Sequence, residues 1–138
     1  LDPGHGAGAL TSPEFYRELG CRVVTVNAQP DGRFPARPSE PTAGNCESLC
    51  EFVAATDADL GVAHDGDADR MMAVAGDGSF VSGDELLAVF ATSLASAGER
   101  VAAPVDTSLL VDDALAEVGV GFSDDGGVRG VDDIEEES

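Results

Sequence analysis

Lysine and tryptophan are missing from the 138 residues, tyrosine occurs once, and aromatics make up only 5% of the chain. A core without large rings must be built from Ala, Val and Leu, which an apolar content of 43% allows. Positive charge is almost as scarce. Seven basic residues, all arginine, stand against 27 acidic ones, for a net charge of −20. A field of that sign repels nucleic acid and anionic lipid, so neither is expected as a partner. It repels a phosphorylated ligand too, unless a cation and arginines reverse the sign locally. Acidity without lysine reads as adaptation to high salt, where the Debye length falls to about 3 Å at 1 M. No stretch approaches the ~20 apolar residues of a membrane span. Cysteine is sparse and odd in number: Cys21, Cys46 and Cys50. Two thiols at i, i+4 without further ligands nearby make a poor zinc site. The three read as reduced, structural thiols of a cytoplasmic protein.

What is present is concentrated in one stretch, Asp65-Gly66-Asp67-Ala68-Asp69-Arg70. Ala58, Leu60, Val62 and Ala63 lead into it, and Met71, Met72, Ala73 and Val74 lead out, so apolar strand-like runs flank a polar loop. Three carboxylates this close repel one another at neutral pH, and a cation relieves that. Hard oxygen donors with no Cys or His cluster beside them suit Mg²⁺ or Ca²⁺. An EF-hand is excluded in detail: its sixth position should be Gly and is Arg70, and its twelfth should be Glu and is Gly76. Two other readings stay open, an acidic surface loop and a ligand site at a strand end of an α/β sheet. The second is compatible with a metal.

The rest of the chain alternates between strand and helix signals. Glycines at 4, 6 and 8 make a turn whose N–H groups can face an anion. Gly4-x-Gly6-x-x-Ala9 formally fits a dinucleotide fingerprint, but Asn27 stands where the acid after the next strand belongs. Ser12-Pro13 reads as a helix start, Phe15 and Leu19 as its apolar stripe, and Gly20 as its end. Cys21 to Val26 reads as a buried strand. Residues 27–42 hold four prolines and form a loop, on which Arg33 and Arg37 read as solvated side chains rather than phosphate contacts. A helix over 45–55 carries Leu49, Phe52 and Val53 on one face. Strand 59–63 delivers the acidic loop, and Gly76-Asp77-Gly78 marks a hairpin between 71–75 and 79–81. A new start follows. A helix from Gly83 is striped by Leu86, Leu87, Phe90 and Leu94 and ends at Gly98. Then come a strand over 100–105 and a helix over 107–118 with a Thr or Ser cap. This order predicts an α/β protein with a mainly parallel sheet covered by helices.

Ala63-His64-Asp65-Gly66-Asp67-Ala68-Asp69-Arg70 resembles the metal-binding loop of the α-D-phosphohexomutases, the family of phosphoglucomutase, phosphomannomutase and phosphoglucosamine mutase. Two upstream segments resemble that family in the same order. Asp2 to Gly8 matches a D-x-x-x-G-x-G opening, and Pro30 to Pro35 matches a P-D-G-x-F-P loop. The resemblance implies an α/β/α second domain over 1–81 holding the metal loop, part of a third domain over 82–120, and an acidic tail over 121–138, disordered or weakly ordered. It implies Mg²⁺ on Asp65, Asp67 and Asp69, and Arg70 gripping a phosphoserine or substrate phosphate. The implied reaction is intramolecular phosphotransfer on a hexose phosphate through a bisphosphate. The family's phosphoserine comes from another domain, with a T-A-S-H-N-P-like motif that has no counterpart here. Ser12, Ser39 and Ser48 lack that context, so no catalytic nucleophile is assigned. The fourth, phosphate-gripping domain has no counterpart either. The chain alone is therefore expected to be inactive. The alternative is a catalytically silent, truncated remnant that binds Mg²⁺ only.

Overall fold

Apolar runs separated by glycine and proline punctuation give the chain two separate cores. The computed structural model describes residues 1–104, 107–124 and 127–129. The chain divides into two compact units, Leu1–Ser82 and the part from Gly83 onward. Among the described residues no helix is long and apolar enough to cross a membrane.

In the first unit, α1 (Ser12–Glu18) and α2 (Glu47–Ala54) precede β1 (Leu60–His64), β2 (Met71–Ala75) and β3 (Phe80–Val81). The strands form one sheet in the order β1-β2-β3. β1 pairs antiparallel with β2, from Leu60 opposite Ala75 to His64 opposite Met71, and β2 pairs antiparallel with β3. β1 is the buried strand, its last four residues all shielded from solvent. Leu49 and Val53 of α2 pack with Cys46, Ala63 and Val74 to form the core. The helix needs no side-chain cap for this, because the i, i+4 apolar pair supplies its anchorage.

The α/β class expected from the sequence is what the chain has, but strand directions are mixed. Parallel pairing in this unit rests on two residues. Leu1 donates to the Val24 carbonyl at 2.8 Å and accepts from Val26 at 3.0 Å. Asp2 donates to the Val62 carbonyl at 2.8 Å and accepts from His64 at 2.9 Å. The antiparallel majority arises because only six residues separate β1 from β2, too few for the crossover that parallel strands require. With so little of the ladder beside it, Cys21–Val26 is neither a regular strand nor buried, contrary to expectation. A cavity of about 440 Å³ lies between Cys21–Val24 and the Ala58–Val62 edge; no residue of the 65–70 loop lines it. Phe15 and Leu19 also stay exposed, so the expected stripe of α1 does not enter the core.

The second unit carries α3 (Gly83–Leu94), β4 (Arg100–Ala103), α4 (Leu109–Glu117), β5 (Gly121–Asp124) and β6 (Gly127–Arg129). β4 and β5 are parallel and joined through α4, and β6 returns antiparallel. Ser108 caps α4, its Oγ accepting the Leu110 N–H at 3.3 Å. Ala88, Ala91, Val111, Leu115 and Phe122 make the core. The face that α3 packs is thus Ala88 and Ala91 with the expected Leu87 beside them, while Phe90 and Leu94 stay exposed. Order also runs past Gly119: Gly121 and Phe122 are buried strand residues, so the stretch expected as an acidic tail begins with structure. Residues 125–126 and 130–138 of that stretch lie outside the described residues, as does the end of the strand expected over 100–105.

Candidate metal centre

The acidic loop is the tip of the β1–β2 hairpin. His64 opposite Met71 fixes its two ends, and the Asp65 and Ala68 N–H groups close it on the Arg70 and Asp65 carbonyls at 3.4 and 3.3 Å. Inside that tight turn Ala68 takes a left-handed conformation, φ +63°. The alternation Asp-x-Asp-x-Asp then converges: one carboxylate oxygen from each of Asp65, Asp67 and Asp69 lies within 4.8 Å of the others. Asp65 is buried, while Asp67 and Asp69 are exposed.

Arg70 orders the buried member. Its backbone N–H donates to Asp65 Oδ1 at 3.2 Å and its Nε to Oδ2 at 3.0 Å. Its Nη1 reaches Glu40 Oε1 at 3.4 Å, and Asp69 Oδ1 lies 3.7 Å from Nε. Burial pushes the Asp65 carboxyl up, but the Arg70 hydrogen bonds outweigh it and hold the group below its ordinary range. Asp69 moves the other way. Its hydrogen bond with Asp65, and then repulsion from Asp67 and Asp65, raise it. Like charge gathered at this spacing is what a divalent cation relieves. Three carboxylates, one fixed and two accessible, fit a hard, oxygen-binding cation; no thiol or imidazole joins them to favour a softer one.

Two segments wall the loop. The glycine turn approaches so closely that a Cβ on Gly6 would stand 2.5 Å from the Gly66 carbonyl oxygen, and the Ala7 N–H donates to that same oxygen at 2.9 Å. From the proline loop, Phe34 and Ser39 pack on Gly66. Four non-glycine residues of the described chain have positive φ: His5, Asn27, Phe34 and Ala68. All four belong to the acidic loop or to the glycine and proline segments that wall it. Strain gathered in this way is characteristic of functional sites.

Asp65, Asp67, Asp69 and Arg70 are therefore brought together as their spacing suggests. Arg33 is solvated and forks onto Asp31, with contacts of 3.0 and 2.8 Å. Arg37 is not solvated, against expectation: its side chain is 5% exposed and paired at 2.9 Å with a buried Asp2. A buried carboxylate early in the glycine segment was the missing partner, and nothing in the local pattern around Arg37 advertises it. His64 was also missed. It is buried, with Nδ1 3.4 Å from the Arg70 carbonyl and no hydrogen-bond partner for Nε2 among the described residues. The apolar run before Asp65 placed this histidine inside the core strand.

Comparisons with known proteins converge on one family. Residues 1–78 match the family model described as phosphoglucomutase/phosphomannomutase, alpha/beta/alpha domain II. A protein of Methanosarcina acetivorans named a probable phosphoglucosamine mutase is 55% identical over 116 residues, covering 83% of this chain and 27% of its own length. A phosphoglucomutase/phosphomannomutase of Thermococcus kodakarensis is 46% identical over 121 residues, covering 86% of this chain and 26% of its own. The crystal structure of a phosphoglucomutase/phosphomannomutase family protein from Burkholderia thailandensis superposes with a TM-score of 0.76 at 27% identity, covering 89% of this chain and 28% of that one. The chain thus spans about a quarter of the length of the curated relatives it matches.

Proposed function

Because the chain belongs to the phosphoglucomutase/phosphomannomutase family, we propose that its Asp65–Arg70 loop is the divalent-cation corner of a hexose-phosphate phosphotransferase. The observation that carries this reading is the convergence of three carboxylates on one hairpin tip. Bound there, Mg²⁺ would neutralise negative charge on a transferring phosphoryl group. The residues have separate tasks. Asp65, buried and held by Arg70, would be the fixed ligand; Asp67 and Asp69, both exposed, would supply the others. Arg70 keeps more than half of its side chain exposed, so its planar guanidinium can meet a phosphate while its Nε stays on Asp65. Such transfer relies on positioning and on charge neutralisation by several groups together. The phosphoserine and a second phosphate grip are assigned to other parts of the mutase. The names of the curated relatives extend the substrate class from glucose and mannose phosphates to glucosamine phosphate. A cytoplasmic setting agrees with three free cysteines, and adaptation to high salt agrees with a charge of −20 without lysine.

Two assays test the proposal. The 138-residue chain alone, with glucose 1-phosphate or mannose 1-phosphate, Mg²⁺ and a trace of bisphosphate in molar KCl, is expected to give no turnover. Turnover lost on Asp67→Asn would place a nucleophile within these residues and overturn the division of tasks. Grafted in place of the matching segment of the Thermococcus kodakarensis relative, the chain is expected to support Mg²⁺-dependent isomerisation. Asp67→Asn should lower that activity at least ~100-fold, on the scale of losing a charge-stabilising group.

A further inference from the structure

We propose that Arg37 is the positioning residue of the acidic loop, holding the peptide that carries Asp65 so that the hairpin tip stays in its cation-ready shape. The inference goes beyond the metal reading, though its metal-affinity arm rests on that reading. All three guanidinium nitrogens of Arg37 are engaged, and they join three segments. Nε donates to Asp2 Oδ2 at 2.9 Å. Nη2 donates to the His64 carbonyl at 2.7 Å and to the Asp2 carbonyl at 3.3 Å. Nη1 donates to the carbonyls of Pro38 and Ser39 at 3.1 and 3.2 Å. The His64 carbonyl belongs to the peptide unit that leads into Asp65, so the short Nη2 bond fixes the plane from which the buried ligand departs.

The surroundings are built for this contact. The other oxygen of Asp2 accepts the Gly4 N–H at 2.7 Å, so the carboxylate cannot turn away from the guanidinium without losing that bond. Gly4 has φ +55°, and a Cβ there would lie 2.6 Å from Arg37 Nη2 and 2.7 Å from Cζ. Glycine is therefore needed at this position both for the backbone and for the space. By folding the proline loop back on Pro38 and Ser39, Arg37 also brings that loop's wall against the acidic tip. Ser39 and Phe34 pack on Gly66, and Glu40 meets Arg70. One side chain thus sets the base of the loop through His64 and its rim through residues 38–40. A lysine carries the same charge but is a point donor without the planar fork, and cannot serve these three directions together.

Two readouts on the folded protein test this. In Arg37→Lys with a native circular dichroism spectrum and no metal added, exchange of the hydrogen-bonded amides within 65–70, those of Asp65, Ala68 and Arg70, is expected to rise at least tenfold. Exchange in α4 should be unchanged. Mn²⁺ affinity, followed by electron paramagnetic resonance, is expected to fall about tenfold, the lower end for outer-shell partners of a metal site. Asp31→Asn, on the same loop, should alter neither. Wild-type exchange over 65–70 in folded Arg37→Lys would overturn the inference. If the wild-type chain binds no Mn²⁺ while the exchange difference persists, the metal reading fails and the positioning role stands. Should Arg37→Lys not fold, Asp2→Asn takes its place with the same two expectations and the same overturning result.

Discussion

At the scale of single residues, the site is defined by backbone conformations that its side chains do not favour. Ala68 is the clearest case. Its φ of +63° lets the third carboxylate swing back toward the first, yet alanine has no polar side chain to compensate the left-handed geometry. That conformation costs an L-residue about 1–2 kcal/mol. Ala68→Gly is therefore expected to raise stability by about 1 kcal/mol with the loop shape retained, as read from urea unfolding monitored by circular dichroism. A loss of stability would mean that packing of the Ala68 methyl group near the glycine turn outweighs the strain. The convergence of the three aspartates was legible in the sequence because carboxylates at alternate positions of a short loop stand out. Arg37 was not. Its partner Asp2 lies 35 positions away, and a lone arginine among prolines has no periodicity to reveal its burial.

At the scale of elements, apolar positions mark α2 and β1: Leu49, Val53 and Ala63 form the core, although Phe52, expected on the same face, is 38% exposed. Strand direction was harder. The spacing of two apolar runs across a six-residue loop does signal a hairpin, but the alternation of helices and strands pointed to parallel pairing. In α3, leucine and phenylalanine mark an apolar face by size, whereas packing selected Ala88 and Ala91. Hydrophobicity alone does not show which of two faces a close-packed neighbour will cover. The packing of α2 makes its own prediction through cysteine. Cys46 is 1% exposed and Cys50 half-buried, while Cys21 is exposed. Burial raises the Cys46 and Cys50 thiols above their ordinary value of 9.0. Iodoacetamide should therefore label Cys21 first, Cys50 slowly and Cys46 only on unfolding, as read by peptide mass spectrometry. The sign of the linkage follows. A thiol whose pKa is higher in the folded state stabilises fully below the unfolded value, so α2 should lose stability as pH rises past about 9. Equal labelling of Cys21 and Cys46 in the native chain would contradict the packing described.

At the scale of the whole chain, each of the two units has its own core, and every residue assigned to the cation site lies in the first. All three candidate ligand side chains therefore lie within a chain about a quarter the length of its relatives. Its net charge of −20 makes an adventitious attraction of cations the natural rival to a specific site, and a titration at high salt separates the two, since screening weakens diffuse attraction most. The most direct measurement is calorimetric titration of the chain with Mg²⁺ in 1 M KCl, repeated with Asp67→Asn. One saturable site is expected in the wild-type chain, and its loss in the variant. About 2.7 kcal/mol of added stability is expected when Mg²⁺ stands at 100 times its Kd. No saturable binding, or binding that survives Asp67→Asn undiminished, would mean that the three aspartates of the hairpin tip do not hold a cation.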